Sequence, residues 1–215
     1  GLLEGVTAAE ANADARSIVL ICEGRTFIAG ADITEFGGKG PAGASLTDVQ
    51  SAMQNASKPV IAAIHGTALG GGLEVALCAH FRVAVPSARC GLPEVNLGLL
   101  PGAGGTQRRL GSVGVESAFG MMTSGRHVPA TESLELGLID ELAEEGALLE
   151  GAIAFAHKVV EEGRPLRKVD ESNEKVEAAR GKPEIFEKFR AGIARKARGF
   201  LAPEYNVRCI EAAVN

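Results

Sequence analysis

Residues 70–74 of the chain read GGGLE, and this stretch decides how the chain around it folds. Its three glycines follow the apolar run VIAAI at 60–64 and open the apolar run LEVALCA at 73–79. This order predicts a strand, a tight turn and a helix. The predicted helix is apolar on every side except at Glu74, which is the pattern of a buried helix. A lone carboxylate there is costly unless it has a partner or a chemical role.

A second carboxylate, Glu94, follows Gly-Leu-Pro and precedes another glycine cluster. Backbone N–H groups at glycine turns and helix starts can converge on one point and bind a negative oxygen. Two such turns precede predicted helices, at 30–32 and at 70–72. If the sheet places them side by side, one N–H from each forms an oxyanion hole. Glu74 and Glu94 are therefore candidates for proton transfer next to a carbonyl group.

The bulk composition excludes several classes of function. The chain has 215 residues, 46% hydrophobic and 23% charged, which suits one substantial domain or one domain with an appendage. A net charge of -5 argues against nucleic acid as the main partner, and the absence of Trp disfavours base stacking. No apolar run is long enough to span a bilayer. Four cysteines without a CxxC pair indicate a reduced, intracellular protein, and four histidines without metal-ligand spacing predict no metal site.

Strands and helices are predicted to alternate in the first half of the chain. Strands are expected at 17–22, 60–64 and 81–85, and a helix is expected from Ser45, with Asp48 in a capping-box position. Repeated βαβ units predict a parallel sheet with right-handed crossovers.

Further helices fill the rest of the chain. In the helix that follows Ser45, three apolar residues share one face, as in ordinary core packing: Leu46, Val49 and Met53. Later helices are predicted at 116–123, 130–138, 148–162 and 183–199. The last of them carries a narrow apolar stripe, formed by Ile185, Phe186, Phe189 and Ile193.

Three motifs recur in a recognisable order: FIAGADI at 27–33, ALGGGLEVA at 68–76 and LPEVNLGLLPGAGGTQR at 92–108. Together they resemble the signatures of the crotonase (enoyl-CoA hydratase/isomerase) superfamily. The resemblance covers the chain from about residue 1 to 160. It implies an α/β protein with the crotonase (ClpP-like) fold, a stacked ββα spiral followed by a helical C-terminal region.

The same resemblance implies the roles of the site residues. Ala31 and Gly71 would supply the oxyanion-hole amides. Glu74 and Glu94 match both glutamates of the hydratases, which together hold a water and deliver its oxygen to Cβ and a proton to Cα of an enoyl thioester. The chain has no GxSxG nucleophile elbow, which disfavours a serine hydrolase.

Substrate-binding positions follow in the same way. Ala29, Asp32 and Ile33 would line the CoA end of the pocket, and Gly102 would join them through an amide that helps seat the water. Asp32 could instead only cap a helix turn. The loop at 37–45 is expected to help set the acyl chain length.

The resemblance implies an enoyl-CoA hydratase of the fatty-acid β-oxidation type. The alternatives are a Δ3-Δ2-enoyl-CoA isomerase and a non-catalytic acyl-CoA-binding or assembly domain. Isomerisation needs one carboxylate to move a proton, so the presence of two favours hydration. The coenzyme A thioester is the substrate, and no cofactor and no NAD site are expected in this chain.

The segment ARKARGFLAP at 194–203 is similar to the linker helix of multifunctional fatty-acid oxidation proteins. In those proteins a 3-hydroxyacyl-CoA dehydrogenase domain follows the hydratase domain. We therefore expect a crotonase core at 1–160 without its first N-terminal strands, and a helical or linker region at 161–215. The expected partners are an acyl-CoA and either further copies in a trimer or a fused dehydrogenase domain, and the expected compartment is the cytoplasm.

Overall fold

The computed structural model describes residues 1–30, 43–105, 113–168, 174–195 and 197–214. The strands are β1 (Ile18–Ile21), β2 (Val60–Ile64), β3 (Thr67–Leu69), β4 (Phe81–Ala84), β5 (Arg89–Gly91), β6 (Val128–Pro129) and β7 (Glu141–Leu142). The α-helices are α1 (Leu2–Ala11), α2 (Leu46–Gln54), α3 (Gly71–Cys78), α4 (Val115–Ser124), α5 (Ala130–Glu135), α6 (Leu148–Glu161), α7 (Glu174–Glu177), α8 (Pro183–Ile193) and α9 (Ala202–Val214). A 3-10 helix, Pro93–Leu97, follows β5.

The first sheet is parallel and has the strand order β1-β2-β4-β7. Ile18 of β1 lies beside Val60, and Ile61 of β2 lies beside Phe81. Every residue of β2 is buried, as expected for a central strand that is covered on both faces. Helix α6 packs on β1, β2 and β4 and covers one face. The predicted parallel sheet is confirmed.

A second sheet has the order β3-β5-β6, with β3 and β5 parallel and β6 antiparallel to β5. The predicted direct passage from strand to glycine turn is wrong in one respect, because β3 intervenes between β2 and the glycines. Each turn of the chain therefore contributes one strand to each sheet and then a helix: β2, β3 and α3, followed by β4, β5 and the 3-10 helix. This is the stacked ββα arrangement that the sequence predicts.

Helix α3 is buried along almost its whole length, as its apolar sequence predicts. It packs between α2 and β3. Helix α2 begins at the predicted cap, where Ser45 Oγ accepts the N–H of Asp48 and Asp48 Oδ2 accepts the N–H of Ser45. This reciprocal capping box fixes the start of α2 beside α3.

The C-terminal helices pack against α4. The Phe119 ring of α4 lies 3.8 Å from the stacked Phe189 ring and 5.8 Å from the edge-on Phe186 ring, centroid to centroid. The predicted apolar stripe therefore docks on this domain. Helix α8 is shorter than predicted, because it ends at Ile193, after which the polar run before Gly199 offers no further apolar face. The domain boundary at residue 160 stays a prediction.

Within the described residues, none of the helices combines the length and the apolar character that a membrane crossing needs.

Candidate active site

Glu74 occupies the first turn of α3 and is 2% exposed. Its Oε1 accepts two backbone N–H groups, from Ala103 at 2.7 Å and from Gly105 at 2.8 Å. These bonds offset the free-energy cost of burying a carboxylate, because each replaces a hydrogen bond to water. The partners come from the glycine-rich segment that follows Glu94, so the two glycine regions of the sequence meet at this side chain.

The second oxygen of Glu74 faces the start of its own helix. A Cβ placed on Gly71 would lie 4.0 Å from Glu74 Oε2. Gly71 is the first residue of α3, so no carbonyl of the helix accepts its N–H. The positive end of the helix dipole also lies here. One carboxylate oxygen is thus anchored, and the other lies near Gly71, the residue at the start of α3.

Glu94 reaches the same turn from the other side. It is half-buried in the 3-10 helix, and its Oε1 would lie 3.1 Å from a Cβ placed on Gly70. The backbone carbonyl of Glu94 accepts the N–H of Leu99 at 3.0 Å, which holds the 3-10 helix closed. The N–H of Gly70 in turn donates to the carbonyl of Gly91 in β5, the strand that leads to Glu94. Two carboxylates therefore converge on one glycine turn.

The first motif lies against α3 through Ile28. A Cβ on Gly72 would stand 2.0 Å from the Ile28 carbonyl oxygen, so only glycine fits this contact. That oxygen also accepts the N–H of Leu69 in β3. Ala29 is the next residue and is exposed.

Three predicted site residues, Ala31, Asp32 and Ile33, lie outside the described residues. Gly102 is described and exposed, directly before Ala103. A Cβ on Gly102 would meet no atom of the described residues within 4 Å.

Sequence reasoning missed Gln50 of α2. Its side chain is 2% exposed, and its Nε2 donates to the Ala103 carbonyl at 3.1 Å. The available signal was a long polar residue in the helix whose face carries Leu46, Val49 and Met53. The backbone donors of Ala103 and Gly105 had no sequence signal beyond their glycine-rich surroundings.

Histidines take no part in the site as described. His80 is buried, and its Nδ1 accepts the N–H of Val60 at 3.0 Å. Burial lowers the pKa of His80 from its ordinary value, and the nearby Gln54 carbonyl only partly offsets this. Among the residues that the structure describes, no group of three or more His, Cys, Asp or Glu is arranged to hold a metal ion.

A cavity of about 580 Å³ opens elsewhere, at the carboxyl ends of β1, β2 and β4. It is lined by residues such as Cys22, His65 and Glu145 and includes neither Glu74 nor Glu94. We take the two glutamates as the candidate site, because two carboxylates near the start of a helix offer proton-transfer groups that cavity volume alone does not.

Several known proteins are similar to this chain in sequence. Residues 2–186 match the sequence model of the enoyl-CoA hydratase/isomerase family. A peroxisomal bifunctional enzyme of Danio rerio is 45% identical over 91% of this chain, which spans 27% of that protein's length. A probable enoyl-CoA hydratase of Bacillus subtilis is 45% identical over 71% of this chain and 62% of its own length.

The structure is similar to solved enoyl-CoA hydratases. The enoyl-CoA hydratase from Bacillus anthracis superposes with a TM-score of 0.66 at 30% identity, covering 99% of this chain and 76% of that one. The mixed α/β architecture with its parallel sheet is therefore one that solved hydratases share.

Proposed function

We propose that this chain, which belongs to the enoyl-CoA hydratase/isomerase family, adds water to a 2-trans-enoyl-CoA. The product would be a 3-hydroxyacyl-CoA of fatty-acid β-oxidation, and the reaction class is that of a hydro-lyase. The observation that carries the proposal is the convergence of Glu74 and Glu94 on the turn at Gly70 and Gly71. Hydration needs groups that can take and return a proton next to one water, and two carboxylates at one glycine turn supply them.

The proposed reaction balances without a cofactor. The water oxygen forms a bond to Cβ while one of its protons passes to a carboxylate of the Glu74–Glu94 pair. The electrons of the carbon–carbon double bond move toward the thioester oxygen, which becomes enolate-like. Cα then takes a proton from the pair, the carbonyl re-forms, and the enzyme returns to its starting protonation state with one water added.

The Gly71 amide is the proposed half of the oxyanion hole. Its N–H opens α3, and an N–H aimed at a developing oxyanion stabilises charge that appears only during the reaction. We assign the other amide to Ala31 by the motif at 27–33. Support for the pairing comes from Ile28, which lies against Gly72 and so brings the first motif to the start of α3.

The CoA thioester is proposed to enter past the exposed residues Ala29 and Gly102. Asp32 and Ile33 complete the proposed CoA-binding set. The isomerase alternative needs only one of the two carboxylates, to move a proton, and the non-catalytic alternative would use only the amides.

Product analysis tests the proposal. The purified chain is incubated with a 2-enoyl-CoA and, separately, with a 3-enoyl-CoA, and the products are separated and weighed by mass spectrometry. We expect the 2-enoyl-CoA to gain the mass of one water. Conversion of 3-enoyl-CoA to 2-enoyl-CoA with no water added would show an isomerase and contradict the hydratase proposal. Binding of the thioester without any product would show a non-catalytic binding domain.

The assembly and the compartment of the whole protein are also proposals. The chain spans about a quarter of the bifunctional relative, so we propose either a fused 3-hydroxyacyl-CoA dehydrogenase domain or a trimer of this chain. The molar mass of the purified chain by light scattering tests the trimer. The cytoplasm is the proposed compartment. The test is the location of a fluorescent fusion of the whole gene product in cells, and fluorescence in peroxisomes would contradict the proposal.

A further inference from the structure

We infer that Gln50 is a positioning residue, which holds the loop at 102–105 and, through that loop, the carboxylate of Glu74. The inference rests on the proposed function, in which Glu74 transfers a proton. Gln50 touches neither the thioester nor the water in this account. It acts through the peptide groups of the loop.

The contact runs in two steps. Gln50 Nε2 donates to the Ala103 carbonyl at 3.1 Å, and the Ala103 N–H donates to Glu74 Oε1 at 2.7 Å. The Gly105 N–H donates to the same oxygen at 2.8 Å. The carbonyl that Gln50 holds belongs to the peptide between Ala103 and Gly104, so it lies between the two N–H groups that bind Glu74. Fixing that peptide fixes the direction of both donors.

The loop needs such a tether because of its composition. Residues 102–105 read GAGG, and Gly104 has a φ of +88°, a conformation that glycine adopts at little cost. Alternating backbone conformations of this kind turn successive N–H groups toward one anion. The same freedom lets a glycine peptide rotate, and rotation here would withdraw donors from Glu74. A hydrogen bond to the Ala103 carbonyl opposes that rotation.

Core packing alone does not explain a glutamine at this position. Met53 on the same helix is completely buried, so an apolar residue could fill the space. Burying an amide is costly unless its groups are hydrogen-bonded. The Nε2 group instead reaches a carbonyl 53 residues away, in the loop that binds Glu74. The contact joins α2 to the site, which is what positioning requires.

The first test removes the donor and keeps the shape. Gln50→Met is expected to lower kcat by about tenfold, with KM changed by less than about twofold, because the thioester contacts remain while a misplaced proton-transfer group slows the reaction. The matched control is Gln54→Met, one turn further along α2, where Gln54 is half-buried. That variant should keep the kcat of the parent.

A second variant separates positioning from simple loss of packing. In Gln50→Glu the new carboxyl can donate to the Ala103 carbonyl only when it is protonated. The ratio of kcat for Gln50→Glu to kcat for Gln50→Met should therefore rise as pH falls. A packing defect would leave this ratio constant with pH, and that result would overturn the inference.

Amide hydrogen exchange gives a readout that does not depend on activity. The N–H groups of Ala103 and Gly105 should exchange faster in Gln50→Met than in the parent, while N–H groups within β2 should not change. Unchanged exchange at Ala103 and Gly105 would overturn the inference even in an active enzyme. A parent protein that hydrates no enoyl-CoA would instead contradict the proposed function and leave the exchange result to decide the positioning role.

Discussion

Glu74 is buried and the side chain of Asp140 is only 9% exposed, yet different partners hold these two carboxylates. Oδ2 of Asp140 lies 3.6 Å from Arg82 Nη2 and accepts the Arg82 backbone N–H at 2.7 Å, and Oδ1 accepts from Arg167. Glu74 is held by two backbone N–H groups at a single oxygen. Among the described residues, two arginines and one backbone N–H hold Asp140, whereas the donors to Glu74 are backbone N–H groups.

The difference separates a structural carboxylate from the one that we propose transfers a proton. The side chain of Arg82 is 3% exposed and also donates to the Leu138 and Ala79 carbonyls, so it joins β4 to the segment before β7. Burial lowers the pKa of Arg82, and the negative charge of Asp140 opposes that shift. Glu74, in contrast, keeps Oε2 directed toward the start of α3. Removing Asp140 should therefore cost stability, and changing the seat of Glu74 should cost activity.

The largest expected effect is on stability, from Asp140→Ala. The substitution leaves Arg82 buried with part of its charge uncompensated, which costs about 3–5 kcal/mol in comparable sites. Urea denaturation should show that loss in the free energy of unfolding, while kcat per folded molecule stays close to that of the parent. Glu132→Ala is the control, because its exposed pair with Arg126 is worth at most about 1 kcal/mol. Equal losses in the two variants would contradict the structural role of Asp140.

Gly72→Ala tests how the start of α3, which carries Glu74, is held against the first motif. The new Cβ would stand 2.0 Å from the Ile28 carbonyl oxygen, which is backbone and cannot rotate away. We expect a loss of about 3 kcal/mol in the free energy of unfolding. Gly102→Ala is the control for stability, since its Cβ would meet no atom of the described part of the chain within 4 Å. A Gly72→Ala protein as stable as Gly102→Ala would show that α3 and the first motif are not in contact.

Gly105→Ala perturbs the seat of Glu74 by one methyl group. That methyl would lie 2.9 Å from Glu74 Oε1 and 3.0 Å from Pro101 Cβ, so the carboxylate must move. Misplacement of a reacting group by about 1 Å can cost about 100-fold in rate, and we expect a kcat reduction of that order. Thermal unfolding is measured on the same samples. A large fall in melting temperature with an unchanged kcat would show that Glu74, like Asp140, has a structural role, and would contradict the proposed difference between the two carboxylates.

The smallest expected effect concerns His80. Because burial lowers its pKa in the folded state, the unfolded chain binds a proton more readily below about pH 6.5. The free energy of unfolding should therefore increase as pH rises from about 5 to 7, and the contribution of His80 should be complete above that range. His80→Gln should reduce this slope by removing the titrating group. An identical slope in both proteins would show that other groups cause it.

The sequence predicts the central elements well for a physical reason. The run at 60–64 is continuously apolar and becomes β2 with the same limits, and the apolar run after the three glycines becomes the buried helix α3 that carries Glu74. Strands β3 and β5 have three residues each, which is too short for a period of two to show. These two strands form because they pair with each other in parallel, and not because of a local sequence preference.

The residues that support the candidate site were harder to predict than its two glutamates. Glu74 and Glu94 stand out because a carboxylate is unusual beside glycine turns. Gln50 and Ala103 meet across 53 residues, and no local pattern predicts which carbonyl a glutamine will reach. The choice of Ala103 and Gly105 as donors depends on how a glycine-rich loop folds over α3, which tertiary packing decides. Ala31, Asp32 and Ile33 keep their motif-based assignments as predictions.

The claim that Glu74 and Glu94 both take part in hydration is tested by the rate at which Glu74→Gln, Glu94→Gln and the parent hydrate 2-enoyl-CoA, at equal concentrations of folded protein. Glutamine keeps the shape of each side chain but cannot take up a proton, so each change should lower kcat by at least about 100-fold. Circular dichroism and melting temperature should stay near those of the parent. If hydration persisted at the parental rate in either variant, that glutamate would not be part of the reaction and the two-carboxylate account would be wrong.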